Sequence, residues 1–109
     1  MEIETPREFF DIVLPERFKP EKAEGIDVVV QVKITGLKGG DWTAEIKEQR
    51  MNVTNGVHPS PNLYVEITDS DFLDLVNEKL SAQKAFFTGK IKFKGDIVLA
   101  LKLRDIGFL

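Results

Sequence analysis

The sequence contains no cysteine, which excludes disulfide bridges, thiolate zinc sites and cysteine nucleophiles. The sequence has one histidine, His58, whereas a metal site built on imidazole usually needs two or more. No apolar run approaches the roughly 20 residues of a membrane-spanning helix. The net charge of -3 offers no overall attraction to nucleic acid. We therefore predict a protein that uses neither a metal nor another cofactor.

Two further absences concern location. The N-terminus, Met1-Glu2-Ile3-Glu4, lacks the apolar run of a secretory signal, and the C-terminal Gly107-Phe108-Leu109 is not the usual peroxisomal tripeptide. We expect a cytoplasmic protein. The 109 residues, 42% hydrophobic and 30% charged, fit one folded domain over residues 1–109 and leave no room for two independent cores.

Apolar and polar residues alternate with a period of two in several stretches, which is the pattern of half-buried strands. The clearest are Val28–Ile34, Trp42–Ile46 and Leu63–Ile67, with weaker ones near Met51–Val57 and Ile91–Phe93. Each clear strand has one apolar and one polar face, as in an antiparallel sheet with one side open to water. The helices must then cover the other side, so the sequence predicts a two-layer α+β domain.

Helical segments are expected before and between these strands. Thr5 is a suitable N-cap for a first helix, which Pro15 is expected to end. Another helix is predicted over residues 69–80, with Asp69 or Ser70 as its N-cap. The acidic residues of this second helix are expected on its solvated face.

The final helix is unusual in its pattern. A short helix over residues 82–87 precedes the fifth strand, and Asp96 then caps a last helix that runs to about Arg104. A helix that is apolar all round requires burial on more than one side. One side can face the sheet, and the other needs a helix, a partner chain or a ligand. The apolar residues that surround its axis are Ile97, Val98, Leu99, Leu101, Leu103 and Ile106.

No pattern typical of catalysis is present. His58 and Ser60 lie two residues apart, but each is followed by proline and no nucleophile elbow surrounds the serine. The glycine-rich stretch Gly36–Gly40 joins two strands, whereas a phosphate loop opens a helix, so we interpret it as a hairpin turn. We predict no catalytic residue and no enzymatic activity.

Three lysines, Lys90, Lys92 and Lys94, lie on one face of the predicted fifth strand. Either they protect an exposed sheet edge from pairing with other chains, or they make a weak, transient contact with an anionic membrane surface. The lack of interleaved exposed aromatic residues argues against nucleic acid as a partner.

Several stretches resemble the sterol carrier protein type 2 family, also called the nonspecific lipid-transfer proteins. The resemblance covers residues 7–105, and its most specific part is the C-terminal block. The similar stretches are Gly39-Gly40-Asp41-Trp42-Thr43 in the first hairpin, Asp69-Ser70-Asp71-Phe72 at a helix start, Lys84 to Phe87, Gly89 to Asp96, and Leu99 to Leu103.

The resemblance implies a five-stranded, mostly antiparallel sheet with helices covering one face. It also implies an apolar tunnel between the layers, partly closed by the last helix, that binds fatty acyl chains, acyl-CoA or sterols without catalytic residues. Two features depart from the family pattern. Glu78 stands where a glycine usually precedes the Lys79-Leu80 pair, and the peroxisomal tail is missing.

The leading hypothesis is a protein that binds and transfers lipids in this tunnel, as a monomer or weak dimer. The alternative is a non-catalytic interaction or dimerisation module whose apolar C-terminal helix packs on a partner. A small enzyme for lipid-like substrates is a third hypothesis, but no nucleophile–base pair favours it. The residues predicted to line the tunnel are Val32, Ile34, Trp42, Ile46, Phe72, Val76, Phe86, Phe93, Val98 and Leu101.

Overall fold

A computed structural model describes the chain from residue 2 to residue 105, without the side chains of Arg104 and Asp105. The strands are β1 (Val28–Thr35), β2 (Gly40–Lys47), β3 (Arg50–Asn55), β4 (Leu63–Thr68) and β5 (Lys92–Gly95). The helices are α1 (Pro6–Glu8), α2 (Leu14–Arg17), α3 (Asp69–Val76), α4 (Ala82–Phe87) and α5 (Ile97–Asp105). A π-helical turn, Phe9–Val13, joins α1 to α2, and a 3-10 turn, Pro20–Lys22, follows.

The five strands form one mixed sheet in the order β3-β2-β1-β4-β5. The β1–β4 pair is parallel, and the other three neighbouring pairs are antiparallel. The predicted fold class, α+β with a five-stranded and mostly antiparallel sheet, is therefore confirmed. The parallel pair requires the chain to cross from β3 at one edge to β4 beyond β1.

The outer face of the sheet is polar, and the loop that connects β3 to β4 crosses it. Gln31 and Thr43 lie on this face yet are buried. The Gln31 amide donates to the carbonyl oxygens of Trp42 and Gly56, and the His58 N–H donates to Gln31 Oε1 at 2.7 Å. Buried polar groups are stable when they are hydrogen-bonded in this way. His58 therefore helps to fasten the crossover loop to the sheet.

The N-terminal helical segment begins as expected but does not end where expected. The Thr5 hydroxyl accepts a hydrogen bond at 3.1 Å from a main-chain N–H three residues later. The expectation that Pro15 ends the helix is wrong, because Pro15 lies in the first turn of α2. The Leu14 N–H donates to the carbonyl of Phe9 across the π-helical turn that precedes it. A proline is tolerated in the first turn of a helical segment, where its missing N–H donor is not needed.

The N-cap of α3 is Thr68, not Asp69 or Ser70. The Thr68 hydroxyl accepts a hydrogen bond from the Asp71 N–H at 3.1 Å. The Asp69 carboxylate instead accepts one from the main-chain N–H of Lys38 at 3.0 Å. This contact ties the β1–β2 turn to the start of α3, so Asp69 has a tertiary role.

The helix α3 ends at Val76, not at residue 80. Glu78 follows with a φ angle of 63°, in the left-handed region that favours glycine. This is the position at which the resemblance implies a glycine. Asn77 exchanges two hydrogen bonds with the main chain of Ile3, at 2.7 and 2.9 Å, and so holds the N-terminal stretch against the end of α3.

Aromatic rings fill the space between the N-terminal helical segment and the sheet. The Phe10 ring stacks on Trp42 with 4.8 Å between centroids and on Phe72 with 5.6 Å. Phe9 meets Phe10 and Phe72 edge-on, each at 5.3 Å. Such pairs stabilise a fold beyond the area that they bury. We call Phe9, Phe10, Trp42 and Phe72 the aromatic core.

The described part of the chain covers α5 on one side. Leu103 is buried, whereas Ile97, Val98 and Leu101 are 51%, 57% and 54% exposed. The predicted cap is present, because the Asp96 carboxylate accepts a hydrogen bond from a main-chain N–H two residues later at 2.9 Å. No described element provides the second covering that the apolar pattern requires. Ile106, which was also placed in this helix, lies outside the described residues.

Candidate functional site

A cavity of about 460 Å³ lies between the sheet and the helices α3, α4 and α5. Its volume falls within the range of small-molecule sites, about 300–1,000 Å³. It occupies the part of the interlayer space that the aromatic core leaves free. The cavity is therefore a second, unfilled compartment next to a filled one.

The floor of the cavity is the apolar face of three neighbouring strands. Val32, Val65 and Phe93 are direct cross-strand neighbours in one row, and Val30 pairs with Leu63 in the next. The parallel β1–β4 pair brings these residues together from distant parts of the sequence. The floor residues are Val30, Val32, Leu63, Val65, Ile67 and Phe93.

One wall of the cavity is formed by α3 and by part of the aromatic core. Phe72 and Leu75 of α3 line the cavity together with Phe9. Phe72 and Phe9 therefore contact both compartments, one side of each ring facing the aromatic core. This wall is closely packed, because the rings that form it contact other rings on their far side.

The cavity opens between α4 and α5. Phe86 and Phe87 of α4, and Ile97 and Leu101 of α5, line the cavity and are also 49–77% exposed. The two phenylalanine rings pack edge-on, with centroids 6.1 Å apart. Lining side chains that also reach water mark the mouth of the cavity.

The lining is almost entirely apolar. Gln83 is the one polar side chain among the described lining residues, and no ionisable group is among them. Within residues 2–105, no cluster of His, Cys, Asp and Glu could hold a metal ion. The arrangement can stabilise an apolar molecule by removing its surface from water. Its described lining presents no side chain for general acid–base or nucleophilic chemistry.

The perturbed pKa values belong to other parts of the described surface. The exposed Glu2–Lys79 ion pair lowers the pKa of Glu2 and raises that of Lys79, and the other two groups, Tyr64 and Glu66, lie on the outer face of the sheet. The Tyr64 hydroxyl donates to Glu66 Oε1 at 2.9 Å and lowers the pKa of the Glu66 carboxyl, and nearby Lys92 adds to this effect. Desolvation, followed by the hydrogen bond to Glu66, raises the pKa of Tyr64. Both side chains alternate with the cavity floor along β4 and so point away from it. The titratable groups therefore do not mark this site.

Among the described helices, none is both long and apolar enough to cross a bilayer.

The structure brings five of the ten predicted lining residues to the cavity and places five elsewhere. Ile34, Trp42, Ile46 and Val76 are buried in the core away from the cavity, and Val98 is exposed on the outer side of α5. Whether any of the ten contacts a ligand stays a prediction. Those at the cavity are Val32, Phe72, Phe86, Phe93 and Leu101.

Sequence reasoning missed most of the floor. Leu63, Val65 and Ile67 belong to β4, and nothing local in the sequence indicates that β4 pairs with β1. Phe87 and Ile91 also line the cavity and lie close to predicted residues in the C-terminal motif block. The available signals were the position of Phe87 next to Phe86 and the alternation of Ile91 with the exposed Lys90 and Lys92.

The other candidate motifs do not form sites. The Ser60 main-chain N–H donates to His58 Nδ1 at 3.0 Å, so this pair closes a local turn. The stretch Gly36–Gly40 forms the β1–β2 hairpin turn, as predicted.

The sequence model of the SCP-2 sterol transfer family matches residues 13–106 of the chain. Sterol carrier protein 2 of Homo sapiens is 34% identical over 71 residues, which are 65% of this chain and 13% of that protein. Hydroxysteroid dehydrogenase-like protein 2 of Mus musculus is 29% identical over 96 residues, which are 86% of this chain and 19% of that protein. The chain thus spans about a fifth or less of the length of these relatives.

A similar solved structure is the solution NMR structure of palmitated SCP2L2 from Aedes aegypti. It is 26% identical to this chain, with a TM-score of 0.76 over 100% of this chain and 96% of that one. The likeness therefore includes the helices that surround the cavity as well as the sheet.

Proposed function

The chain belongs to the SCP-2 sterol transfer family, and we propose that it binds a long-chain lipid in the cavity between sheet and helices and carries it between membranes. Membership of the family supports lipid binding and transfer in general. The observation that supports this particular site is the apolar lining of a 460 Å³ cavity that opens to solvent at one end.

The size of the cavity favours an acyl chain as the ligand. One water molecule takes up about 30 Å³, and a methylene group is of similar size, so the cavity accommodates roughly fifteen such groups. Palmitate is a chain of this length, and the similar Aedes aegypti protein is described as palmitated. Acyl-CoA and sterol or isoprenoid lipids are the other candidates, with the bulky part of an acyl-CoA at the mouth.

The energetics suit a carrier. A methylene that leaves water for an apolar site gains about 0.8 kcal/mol. A membrane offers the ligand the same gain, so a carrier need only match the membrane and shelter the ligand during the aqueous crossing. Loose, apolar packing without directional contacts is sufficient for that task.

No catalysis is part of the proposal. The relatives include larger proteins with enzyme names, but the matched region is a small part of each. The cavity presents no ionisable side chain among its described lining residues. The proposed partners are the lipid and, transiently, an anionic membrane surface, and the proposed location is the cytoplasm.

The test is displacement of a fluorescent fatty acid by unlabelled palmitate, followed by native mass spectrometry of the complex. We expect saturable binding of one acyl chain with a dissociation constant of about micromolar order. The absence of saturable binding at micromolar ligand would contradict the proposal.

Two valine-to-phenylalanine variants locate the ligand. Val65→Phe places a ring on the cavity floor and should weaken binding by about tenfold or more, because the ring occupies the space of the ligand. Val29→Phe makes the same change on the neighbouring strand but on the outer face, so binding should be unchanged. Equal loss in both variants, with both folded by circular dichroism, would place the ligand elsewhere.

A second candidate function is a non-catalytic interaction module. The exposed apolar side of α5, with Ile97, Val98 and Leu101, supports it. Light scattering at increasing concentration tests self-association through this helix, with Val98→Ser as the disruptive variant. A monomer at all concentrations counts against self-association.

A further inference from the structure

Exposed apolar side chains concentrate around the mouth of the cavity. In the described part of the chain, five of the eight large hydrophobic side chains that are exposed lie in α4 and α5. An apolar patch bordered by polar residues marks an interaction site more often than it occurs by chance. The five residues, which we call the apolar rim, are Phe86, Phe87, Ile97, Val98 and Leu101.

The segment that contains the apolar rim also differs in charge from the rest of the chain. Residues 79–109 carry seven basic and two acidic side chains, a formal charge of +5, whereas residues 1–78 carry eight basic and sixteen acidic ones, a charge of -8. Within α4, β5, α5 and their connections up to Leu103, Asp96 is the one acidic residue. The apolar rim is thus set in a positive segment of an otherwise negative protein.

The lysines of this segment are exposed to solvent. Lys84 and Lys102 lie on the surfaces of α4 and α5, beside rim residues. Lys90 lies 3.6 Å from a carboxylate oxygen of Asp71, but its side chain is 45% exposed. Exposed pairs of this kind are weak, so these lysines retain most of their attraction for an outside anion.

A second copy of the chain is a poor occupant for this surface. A two-fold contact would place the same patch of both copies face to face, and each patch lies in a segment of charge +5. Like charges brought together oppose such a contact. The surface instead combines apolar side chains with exposed lysines, which is the composition that partitions into an anionic membrane interface.

We infer that the apolar rim, with Lys84, Lys90 and Lys102 around it, is a docking surface for a bilayer that contains anionic lipid headgroups. The surface lies at the cavity mouth, so docking would place the mouth against the lipid. This inference rests on the proposed function, since a carrier gains most when its ligand passes directly between bilayer and cavity. This docking differs from a contact made by the strand lysines, because Lys92 and Lys94 alternate with Phe93 of the cavity floor and so point to the other face of the sheet. Apolar side chains of two helices form the centre of the docking surface.

The experiment measures co-flotation of the full chain with two kinds of vesicle, phosphatidylcholine alone and phosphatidylcholine with about a third phosphatidylserine. We expect binding to the anionic vesicles that weakens with added salt, and much less binding to the neutral ones. Equal binding to both, or binding to neither, would overturn the inference.

Val98→Ser tests the apolar part of the surface. Val98 is exposed and does not line the cavity, so the variant should bind anionic vesicles about three- to tenfold more weakly while its affinity for a fluorescent fatty acid in solution is unchanged. The matched control is Leu37→Ser, which removes an even more exposed apolar side chain from the β1–β2 turn, outside the apolar rim, and should leave vesicle binding unaltered. Equal effects of the two changes would contradict the assigned surface.

Lys84→Glu tests the charged part. It should reduce binding to anionic vesicles by about tenfold, whereas Lys47→Glu on β2, an exposed lysine outside the positive segment, should have little effect. Fatty-acid displacement in solution separates the two proposals. If the wild-type chain binds fatty acid but no vesicle, the proposed cavity function stands and the docking surface is wrong. If it binds vesicles but no fatty acid, the docking surface stands and the cavity function is wrong.

Discussion

The space between the sheet and the helices has two halves, and they are filled in different ways. Next to β2 and β3, the N-terminal helical segment packs its rings against Trp42, and Phe9 and Phe10 are at most 1% exposed. Next to β4 and β5, the helices α4 and α5 leave a 460 Å³ cavity and keep Phe86 and Leu101 about half exposed. We call these the closed half and the open half.

Alternation along strands therefore does not decide whether the inner face of a sheet becomes filled core or cavity floor. The inward residues of β2 and of β4 follow the same period of two, although Trp42 of β2 is larger than any inward residue of β4. What differs is the supply of large side chains, from Trp42 and from the covering layer. The aromatic core fills one half, whereas α5 presents to the other half a helix whose larger side chains remain partly in water.

The strongest test of the comparison is the same deletion in each half. Phe10→Ala removes a ring that is stacked on two others in the closed half, and should lower the free energy of unfolding by about 3–5 kcal/mol. Phe86→Ala removes a half-exposed ring at the cavity mouth, and should cost less than about 1 kcal/mol. Urea denaturation of both variants measures the contrast. Similar losses in the two would mean that the open half is packed as tightly as the closed half.

The sequence predicted the elements of both halves better than their arrangement. The period of two identified the strands at 28–35, 40–47 and 63–68 to within two residues at each end, because one polar and one apolar face leave a local signal. The parallel β1–β4 pairing has no such signal, since it depends on a crossover of the whole sheet. The N-cap of α3 was harder to predict, because Thr68 and Asp69 are both suitable residue types. In the structure Thr68 is the cap, and Asp69 accepts a hydrogen bond from the main chain of Lys38.

Ligand binding should stabilise the open half more than the closed half. If an acyl chain fills the cavity, ligand at a hundredfold excess over its dissociation constant should raise the free energy of unfolding by about 2.7 kcal/mol. Amide hydrogen exchange should then slow most in α4, β5 and α5. In the closed half, amides that exchange by local opening should be unaffected. Uniform slowing of such amides in both halves would show that the ligand does not act on the cavity.

The candidate site was only partly predictable for the same reason as the topology. Phe86 and Phe93 were found because they lie in a C-terminal block that resembles known lipid-transfer proteins. Trp42 and Ile46 were chosen because they are inward residues of a clear strand, but that strand lies in the closed half. Whether an inward residue lies in the closed or the open half depends on the order of the strands in the sheet. The period of two contains no information about that order.

A smaller change in the free energy of unfolding is expected for a substitution at the end of α3, next to the open half. Glu78 has a φ angle of 63°, where glycine is favoured. Glu78→Gly should therefore raise the free energy of unfolding by about 0.5–1 kcal/mol, since relief of the backbone outweighs the added freedom of the unfolded chain. The matched control is Gly89→Ala, at a φ angle of 76° with open space around it, which should destabilise by a similar amount. A destabilised Glu78→Gly variant would show that the Glu78 side chain matters more than its backbone.

The smallest expected effect concerns the polar outer face of the open half, where β5 pairs with β4. The Tyr64 hydroxyl lowers the pKa of Glu66, so this contact stabilises the fold above the ordinary carboxyl pKa and is lost as pH falls through the lowered one. Tyr64→Phe should move the pKa of Glu66 upward toward its ordinary value, with Lys92 still holding it below. Carboxyl chemical shifts followed by NMR through the acid range measure this directly. An unchanged Glu66 pKa in the variant would assign the shift to Lys92 and leave the tyrosine hydroxyl without a role at the β4–β5 edge.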